Sequence, residues 1–362
     1  MPLSSDYNLA DRVLHYIAFC HPAMQKALFE IENDLFSDRF EHIEPECEVF
    51  VTGLPRAGTT LILDLLYRTG EFSAFTYRQM PFVMSPLIWS KLSRPFQKVA
   101  ESKERAHGDG VQVSFDSPEA FEEIIWLAYL RKKIVNSSYR SVLASGEHSE
   151  EVSYALRSAI KKLIYLDQSQ NDRPVKRRYL SKNNANTSRI DIVTQLFPSS
   201  TILVPFRAPA SQVRSLMEQH ARFLTEHQEE KFSQRYMSWL GHFEFGGMFR
   251  PINFDLWLKN KVAPYEVDQN FWLEYWVAAF SHLLDKKNSN VYFLDFDQLL
   301  KERENKMEAI ADCVGLDNKM EFMKGTDLLR VPKVLEVEPN NFHPQLWRSA
   351  RDIYEKLREV AI

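Results

Sequence analysis

Residues 49–66, VFVTGLPRAGTTLILDLL, combine glycines and polar side chains whose spacing suits the binding of an anion. Gly53 and Gly58 are spaced as in the nucleotide-binding loop G-x-x-x-x-G-K-[ST]. Thr59 stands where that loop has its lysine, and Arg56 lies three positions before it. The lysine of that loop reaches the β- and γ-phosphates of a nucleoside triphosphate. Its absence favours a shorter phosphate-like chain that a guanidinium would hold.

The neighbouring residues of this loop add further groups that suit an anion. The backbone N–H groups of residues 56–60 would point into one concavity at a helix start, where the helix dipole also favours negative charge. Thr59 and Thr60 add hydroxyl donors, Pro55 stiffens the turn, and Gly58 allows close backbone approach. The alternative is an ordinary strand-to-helix turn with a threonine cap, but it leaves the arginine unexplained.

A second candidate anion site follows a later strand. STILVPF (200–206) is an apolar, partly β-branched run, and Arg207 comes directly after it. Ser215 lies eight residues further on, two turns into the helix predicted next. Because open α/β sheets bind ligands beyond the carboxyl ends of their strands, the two side chains would face one pocket.

Strand-like and helix-like segments alternate along much of the chain. EVFVTG (48–53) predicts a strand and TTLILDLLYRTG (59–70) a helix, since its leucines recur at helical spacing. Two helices separated at His21-Pro22 are predicted over 9–35. Further elements are predicted over 188–198 (helix), 200–206 (strand), 208–224 (helix) and 290–316 (strand, then helix). The alternation predicts an α/β fold with a parallel sheet flanked by helices.

Composition limits the partners and the compartment. The formal net charge is −4, so bulk attraction to nucleic acid is not expected. Cys20, Cys47 and Cys313 show no C-x-x-C spacing, which indicates free thiols in a reducing compartment. The first residues lack a basic region before an apolar run, and no apolar run approaches a membrane-spanning length. These features predict a cytoplasmic protein with no membrane span and no nucleic-acid partner.

The two candidate anion sites carry a family resemblance. GLPRAGTT (53–60) is similar to the 5′-phosphosulfate loop of sulfotransferases that use 3′-phosphoadenosine-5′-phosphosulfate (PAPS), in the branch of bacterial, carbohydrate and tyrosyl-protein enzymes. Arg207 with Ser215 resembles that family's 3′-phosphate motif, although Ala208 stands where the family often has aspartate. The resemblance covers about 48–70, 178–220 and 290–316. It implies a P-loop-kinase-like fold, PAPS as donor, 3′-phosphoadenosine-5′-phosphate (PAP) as product, and no metal. The donor-binding residues it implies are Pro55, Arg56, Ala57, Gly58, Thr59, Thr60, Arg207 and Ser215.

Lys182 is the predicted stabiliser of the sulfuryl group, together with Arg56. It lies in RRYLSKNNANTSRI and resembles the family's lysine ahead of the 3′-phosphate strand. The alternative is a solvated lysine in a basic loop. Asn186 and Arg189 are nearby candidates for other polar contacts.

The base that would take the acceptor proton has several candidates in RAHGDGVQVSFDSPEAFEEIIW (105–126). His107 and Glu123 are predicted as catalytic residues, because histidine titrates near neutral pH and a buried glutamate can be tuned upward. For the acidic residues, stabilisation of the helix dipole after Ser117-Pro118 is the alternative. Asp109 and Glu122 are further candidates in this stretch, and His220, on the helix predicted after Arg207, is another option. In the aromatic segment YMSWLGHFEFGGMF (236–249), His242 or Glu244 is expected to touch the substrate, with packing of the segment as the alternative.

These observations predict a sulfotransferase that moves a sulfuryl group from PAPS to a hydroxyl or amine without a metal. A divergent P-loop kinase or NTPase that uses Mg-ATP is one alternative, and a non-catalytic nucleotide-binding relative is another. The acceptor would be a small molecule, a glycan or a lipid, since aromatic residues of the middle segment suit stacking and burial.

One domain in four parts is predicted over residues 1–362. The parts are N-terminal helices (1–45), a PAPS-binding core (46–220), an aromatic-rich helical acceptor or lid region (221–288), and a C-terminal strand with helices (289–362).

Overall fold

The computed structural model describes residues 9–93, 103–104, 112–113, 116–170, 178–329, 338 and 341–362. The strands are β1 (Val49–Val51), β2 (Phe72–Ser73), β3 (Lys103–Glu104), β4 (Gln112–Val113), β5 (Arg178–Lys182), β6 (Thr201–Phe206) and β7 (Val291–Asp295). The helices are α1 (Leu9–Phe19), α2 (Pro22–Phe40), α3 (Thr59–Tyr67), α4 (Pro86–Ser93), α5 (Glu123–Ile134), α6 (Glu150–Gln170), α7 (Ile190–Leu196), α8 (Pro209–Glu229), α9 (Lys231–Leu240), α10 (Gln269–Asp285), α11 (Phe296–Lys301), α12 (Arg303–Val314), α13 (Lys319–Lys324) and α14 (Pro344–Val360). Short 3₁₀ turns lie at Tyr77–Gln79, Asn184–Ser188, Gly246–Met248, Phe254–Leu256 and Gly325–Leu328.

Five strands form a parallel sheet in the order β2-β5-β1-β6-β7. Val51, near the end of β1, lies between Lys182 of β5 and Leu203 of β6. Because the strands run in the same direction, their carboxyl ends meet at one edge of the sheet. That edge therefore gathers the loop after β1, Lys182 at the end of β5, and Arg207 after β6.

The two faces of this sheet are buried against different helices. Val49 and Val51 of β1 pack in one hydrophobic cluster with residues of α3 and α12, whereas Phe50 packs in the other. All three side chains are buried, as expected for a strand covered on both faces. The predicted α/β architecture, a P-loop-kinase-like parallel sheet flanked by helices, is confirmed.

Most predicted elements are present with shifted ends. The break between α1 and α2 falls at Pro22, and α3 follows β1 as predicted. The helix after Arg207 is longer than predicted, because α8 continues to Glu229. His220 therefore lies well inside this helix.

The polar stretch 137–154 is partly helical and partly buried. Helix α6 begins at Glu150, but Arg140 is only 2 % exposed and its Nε donates to the carbonyl of Arg250 at 3.0 Å. The segment thus carries a buried charge, which pairs with Glu244. In the described part of the chain, no helix has the length and apolar character needed to cross a membrane.

Candidate active site

The loop after β1 has the conformation of an anion-binding turn. Gly58 is the N-cap of α3 with φ 84°, and no side chain caps this helix start. A Cβ at Gly58 would lie 2.2 Å from Cε2 of Phe296, so the close approach requires glycine. The interpretation of a threonine-capped turn is therefore wrong, since Thr59 is already the first helical residue. A helix start without a side-chain cap leaves backbone donors for an anion.

The structure brings the two predicted anion motifs together. Arg56 Nε donates a hydrogen bond of 3.0 Å to Ser215 Oγ, across 159 positions of sequence. Arg56 adopts a positive φ of 69°, which is uncommon for a residue with a Cβ. The backbone of the loop thus turns this guanidinium towards the first turns of α8.

Arg207 follows β6 and is held by a carboxylate from another element. Its Nε donates to Asp297 Oδ1 at 3.2 Å, and the backbone N–H of Ala208 donates to Asp297 Oδ2 at 2.8 Å. Asp297 therefore places a carboxylate beside Ala208 from another element. The family that the motif resembles often has an aspartate at the position of Ala208. Asp295 caps α11, accepting from the N–H groups of residues 297 and 298 at 3.0 and 3.1 Å.

Gln212, which the sequence did not single out, joins these two motifs. Its Nε2 donates to the carbonyls of Leu54 and Pro55 at 3.4 and 3.0 Å. Its Oε1 accepts from the backbone N–H of Arg207 at 3.3 Å and from Trp276 Nε1 at 3.0 Å. All polar atoms of this buried amide have partners. The only sequence signal was its place one turn into a helix after Arg207.

Lys182 is the last residue of β5 and points into a buried environment. It is 8 % exposed, and its Nζ lies 3.7 Å from Glu119 Oε1. The next residue, Asn183, donates its backbone N–H to Val51 at 3.0 Å and accepts from Thr52 Oγ1 at 2.8 Å. The interpretation as a solvated lysine in a basic loop is wrong, because Lys182 is buried and ends a strand beside the loop after β1.

Two buried glutamates begin α5 and support the end of β5. Glu122 accepts from Trp126 Nε1 at 3.2 Å, from Tyr179 Oη at 2.8 Å and from Asn186 Nδ2 at 3.1 Å. Burial, reinforced by the charge of Glu122, raises the pKa of Tyr179. The specific contacts of Glu122 contradict a role limited to the helix dipole.

Glu123 is engaged in the same network. Its carboxylate accepts from Asn183 Nδ2 at 2.9 Å, and the guanidinium of Arg189 pairs with both of its oxygens. Arg189 also lies over the Trp126 ring, 4.3 Å from its centroid. These contacts favour a structural role for Glu123, although its predicted catalytic role is not tested by them. The predicted base His107 and its neighbour Asp109 lie outside the described residues.

His242 and Glu244 stand in the segment that follows α9. Glu244 Oε1 lies 3.4 Å from Arg140 Nη1, and its Oε2 lies 3.8 Å from His242 Nδ1. Burial opposes ionisation of Glu244, but the charges of Arg140, His242 and Lys182 outweigh it and lower its pKa to about 2. Glu244 is thus an ionised carboxylate near Lys182. Phe243, which lies between His242 and Glu244 in the sequence, is buried. Packing is therefore one role of this segment.

His220 is a neutral hydrogen-bond acceptor inside α8. Its Nδ1 accepts from the backbone N–H of Gly246 at 3.2 Å, and His227 Nδ1 accepts from Gly247 at 3.1 Å. Burial and then the neighbouring His227 lower the pKa of His220 to about 4. A ring that accepts from backbone in this way holds the Gly246–Met248 turn against α8.

The lowered pKa of His220 predicts an acid-sensitive fold. Between about pH 6.5 and pH 4 the unfolded chain binds more protons at this site than the folded chain, so stability falls as the pH falls. After discounting for solvent screening, we expect a loss of about 1–2 kcal/mol from this residue. Urea unfolding at pH 7 and pH 4.5 measures it. His220→Gln keeps an acceptor but does not titrate, so a variant with the same acid loss as the native chain contradicts the prediction.

A comparison with protein-family models decides the family. The model described as "Sulfotransferase family" matches residues 48–246. The chain belongs to the sulfotransferase family. The match includes the loop after β1, the end of β5 and the Arg207–Ser215 motif, so the predicted activity, transfer of a sulfuryl group by a PAPS-dependent enzyme, is confirmed at the level of the family. A kinase or NTPase that uses Mg-ATP is not favoured.

One of the similar solved structures has a TM-score above 0.5 and shows the same fold for this sulfotransferase. Sulfotransferase STF9 from Mycobacterium avium is similar with a TM-score of 0.52 at 10 % identity, over 93 % of this chain and 82 % of that one. STF1 from Mycobacterium tuberculosis H37Rv gives 0.47 at 11 % identity, over 84 % and 77 %. A retinol dehydratase solved with retinol and PAP gives 0.32 at 11 % identity, over 90 % and 84 %. No curated protein sequence matches the chain.

Proposed function

We propose that this sulfotransferase binds the 5′-phosphosulfate of PAPS on residues 55–60 and the 3′-phosphate at Arg207 and Ser215. The observation that carries the proposal is the 3.0 Å hydrogen bond from Arg56 to Ser215, which joins the two motifs at the carboxyl edge of the sheet. The donor set fits such a ligand, because it combines two guanidinium groups, hydroxyl groups and the start of α3.

Arg56 and Lys182 are the groups we propose for stabilising the transferred sulfuryl group. Sulfuryl transfer develops negative charge on the oxygen that leaves with the 5′-phosphate, and positioned cations lower the energy of that state. Lys182 ends β5, and Arg56 lies in the loop that follows the neighbouring strand, β1. Since the donor set is cationic or made of N–H and O–H groups, we propose that the reaction needs no metal.

The acceptor side is proposed to lie between the end of β5 and the aromatic-rich region, residues 221–288. Many of its aromatic rings pack against one another, for example Phe249 on Trp272 with centroids 5.0 Å apart. This packing fixes the wall of the region, while polar groups such as His242 contact the acceptor. A small molecule, a glycan or a lipid remains the expected acceptor class, and Cys20, Cys47 and Cys313, free in the structure, support our expectation of a cytoplasmic site of action.

Binding of PAP in the presence of EDTA tests the donor assignment. We expect PAP to raise the thermal unfolding midpoint, because a ligand at a hundred times its dissociation constant stabilises the folded state by about 2.7 kcal/mol. At the same concentration, 5′-AMP should give a smaller shift, since it lacks the 3′-phosphate. A shift with Mg-ATP but none with PAP would contradict the proposed function.

A further inference from the structure

A histidine–carboxylate pair stands next to the donor site without a role in it. His242 Nδ1 faces Glu244 Oε2 at 3.8 Å, and the other oxygen of Glu244 lies 3.4 Å from Arg140 Nη1. Arg140 is itself fixed by its bond to the carbonyl of Arg250. Glu244 is therefore a carboxylate held in place by a buried guanidinium and directed at one nitrogen of an imidazole.

The segment that carries this pair is anchored beside the end of β5. Gly241 ends α9 with φ 81°, and a Cβ there would lie 2.4 Å from Cγ of Glu123. Glu123 in turn accepts from Asn183, the residue after Lys182. His242 follows Gly241 directly, so its backbone lies close to the strand end that carries Lys182.

The charges around the pair favour a proton acceptor at His242. Positive charge at Arg140 and Lys182 keeps Glu244 ionised, and an ionised carboxylate stabilises an imidazolium next to it. Two other carboxylates that face this region have cations of their own, Glu119 at Lys182 and Glu123 at Arg189. Arg250 repels Arg140 and donates to the carbonyls of Asn136 and Met248.

The imidazole of His242 is also reachable. Its side chain is 19 % exposed, while its backbone N–H donates to Met237 at 3.0 Å. Within the described ranges, its Nε2 makes no hydrogen bond. By contrast, Glu123 is engaged by Arg189 and Asn183, and His220 accepts from backbone. His242 thus combines a fixed backbone, a carboxylate at Nδ1 and an accessible Nε2.

We propose that His242 is the general base for the acceptor and that Glu244 is the residue that positions its imidazole. The inference rests on the sulfotransferase function proposed above. The acceptor oxygen forms a new bond to sulfur as its proton passes to Nε2 of His242. The bond between sulfur and the 5′-phosphate oxygen breaks, and its electron pair stays on the phosphate of PAP beside Arg56 and Lys182. The arrangement follows the carboxylate–histidine logic of hydrolases.

The ring itself can be observed without turnover. In the PAP complex, the imidazole Hε1 resonance of His242 is assigned by its absence in His242→Gln, and its chemical shift is compared between the native enzyme and Glu244→Gln at one pH. We expect the resonance to move and broaden in Glu244→Gln, because the ring loses the carboxylate beside Nδ1 that holds its orientation. An unchanged resonance in Glu244→Gln would overturn the positioning role.

Transfer to water provides the matching activity test, with release of PAP from PAPS as the readout. We expect His242→Gln to lower the rate about 10²–10⁴-fold. Glu244→Gln should lower the rate by a smaller factor, because the base is present but its imidazole is less well oriented. Imidazole added to His242→Gly should restore part of the rate, which a purely structural histidine would not allow.

The outcomes separate this proposal from the donor assignment. Both variants should bind PAP within about twofold of the native enzyme, a change of less than 0.5 kcal/mol, since neither residue is placed on the donor. Native-like PAP release by His242→Gln, or no PAP release by the native enzyme above buffer alone, would overturn the base assignment while PAP binding stands. Failure of the native enzyme to bind PAP would overturn both.

Discussion

Replacing Arg207 by alanine weakens PAP binding about 10- to 150-fold and leaves the affinity for 5′-AMP nearly unchanged. A charge-assisted hydrogen bond contributes about 1.5–3 kcal/mol, which corresponds to that range of dissociation constants. Arg207 is 6 % exposed and already oriented by Asp297. Its side chain therefore loses little conformational entropy when the 3′-phosphate binds. Isothermal titration with PAP and with 5′-AMP measures both affinities.

The neighbouring carboxylate makes a second variant necessary. Without Arg207, the charge of Asp297 stays near the incoming phosphate and repels it, which adds to the loss. Arg207→Ala combined with Asp297→Ala removes this repulsion and should recover part of the affinity. Arg214→Ala is the matched control, because Arg214 lies on α8, the helix that follows Arg207, but pairs with Glu218 at the surface. Equal losses for PAP and 5′-AMP in Arg207→Ala would contradict the assignment of the 3′-phosphate site.

Replacing Arg189 by alanine destabilises the fold by about 3–5 kcal/mol, as expected when one partner of a buried ion pair is removed. Arg189 and Glu123 are almost fully buried, so the remaining carboxylate would have neither water nor a cation. The cation–π contact with Trp126 is lost as well. Urea unfolding at neutral pH measures the change in free energy.

Two controls show whether buried charge is the cause. Arg189→Met with Glu123→Gln removes both charges and keeps an acceptor for Asn183, so it should regain most of the lost stability. Lys286→Ala breaks a half-exposed pair with Asp191 and should change stability by less than about 1 kcal/mol. If the double variant is no more stable than Arg189→Ala, packing rather than charge explains the loss. If it folds and still releases PAP from PAPS, Glu123 is not the base.

The sequence was sufficient to predict the elements whose signals lie within a short stretch of residues. β1 and α3 have a clear hydrophobic period and a glycine-containing turn between them, and Arg207 directly follows an apolar strand. The order of these elements also predicted the parallel sheet. The loop residues were identifiable because phosphate recognition by backbone N–H groups demands glycine and short polar side chains at fixed spacing.

Long-range pairing explains what the sequence did not reveal. β5, with the sequence RYLSK, has two charged residues and no apolar alternation, yet it is a central strand because β1 and β2 pair with it on either side. Arg140 stands in a polar stretch, and only the fold brings it to Glu244, 104 positions away. The carboxylate of Asp297 likewise contacts Arg207 across 90 positions of sequence. Such partners have no signature within a short window.

Gln212 links the two elements that we propose for binding phosphates. Its amide bonds the loop carbonyls of Leu54 and Pro55 on one side and the N–H of Arg207 on the other, while Trp276 fixes its orientation. Because this amide is bonded on both sides, it fixes the distance between the two proposed anion sites. We therefore expect the enzyme to distinguish regioisomers of its nucleotide. A 2′,5′-bisphosphate has the same charge as PAP, but the distance between its two phosphates differs from the distance that Gln212 fixes.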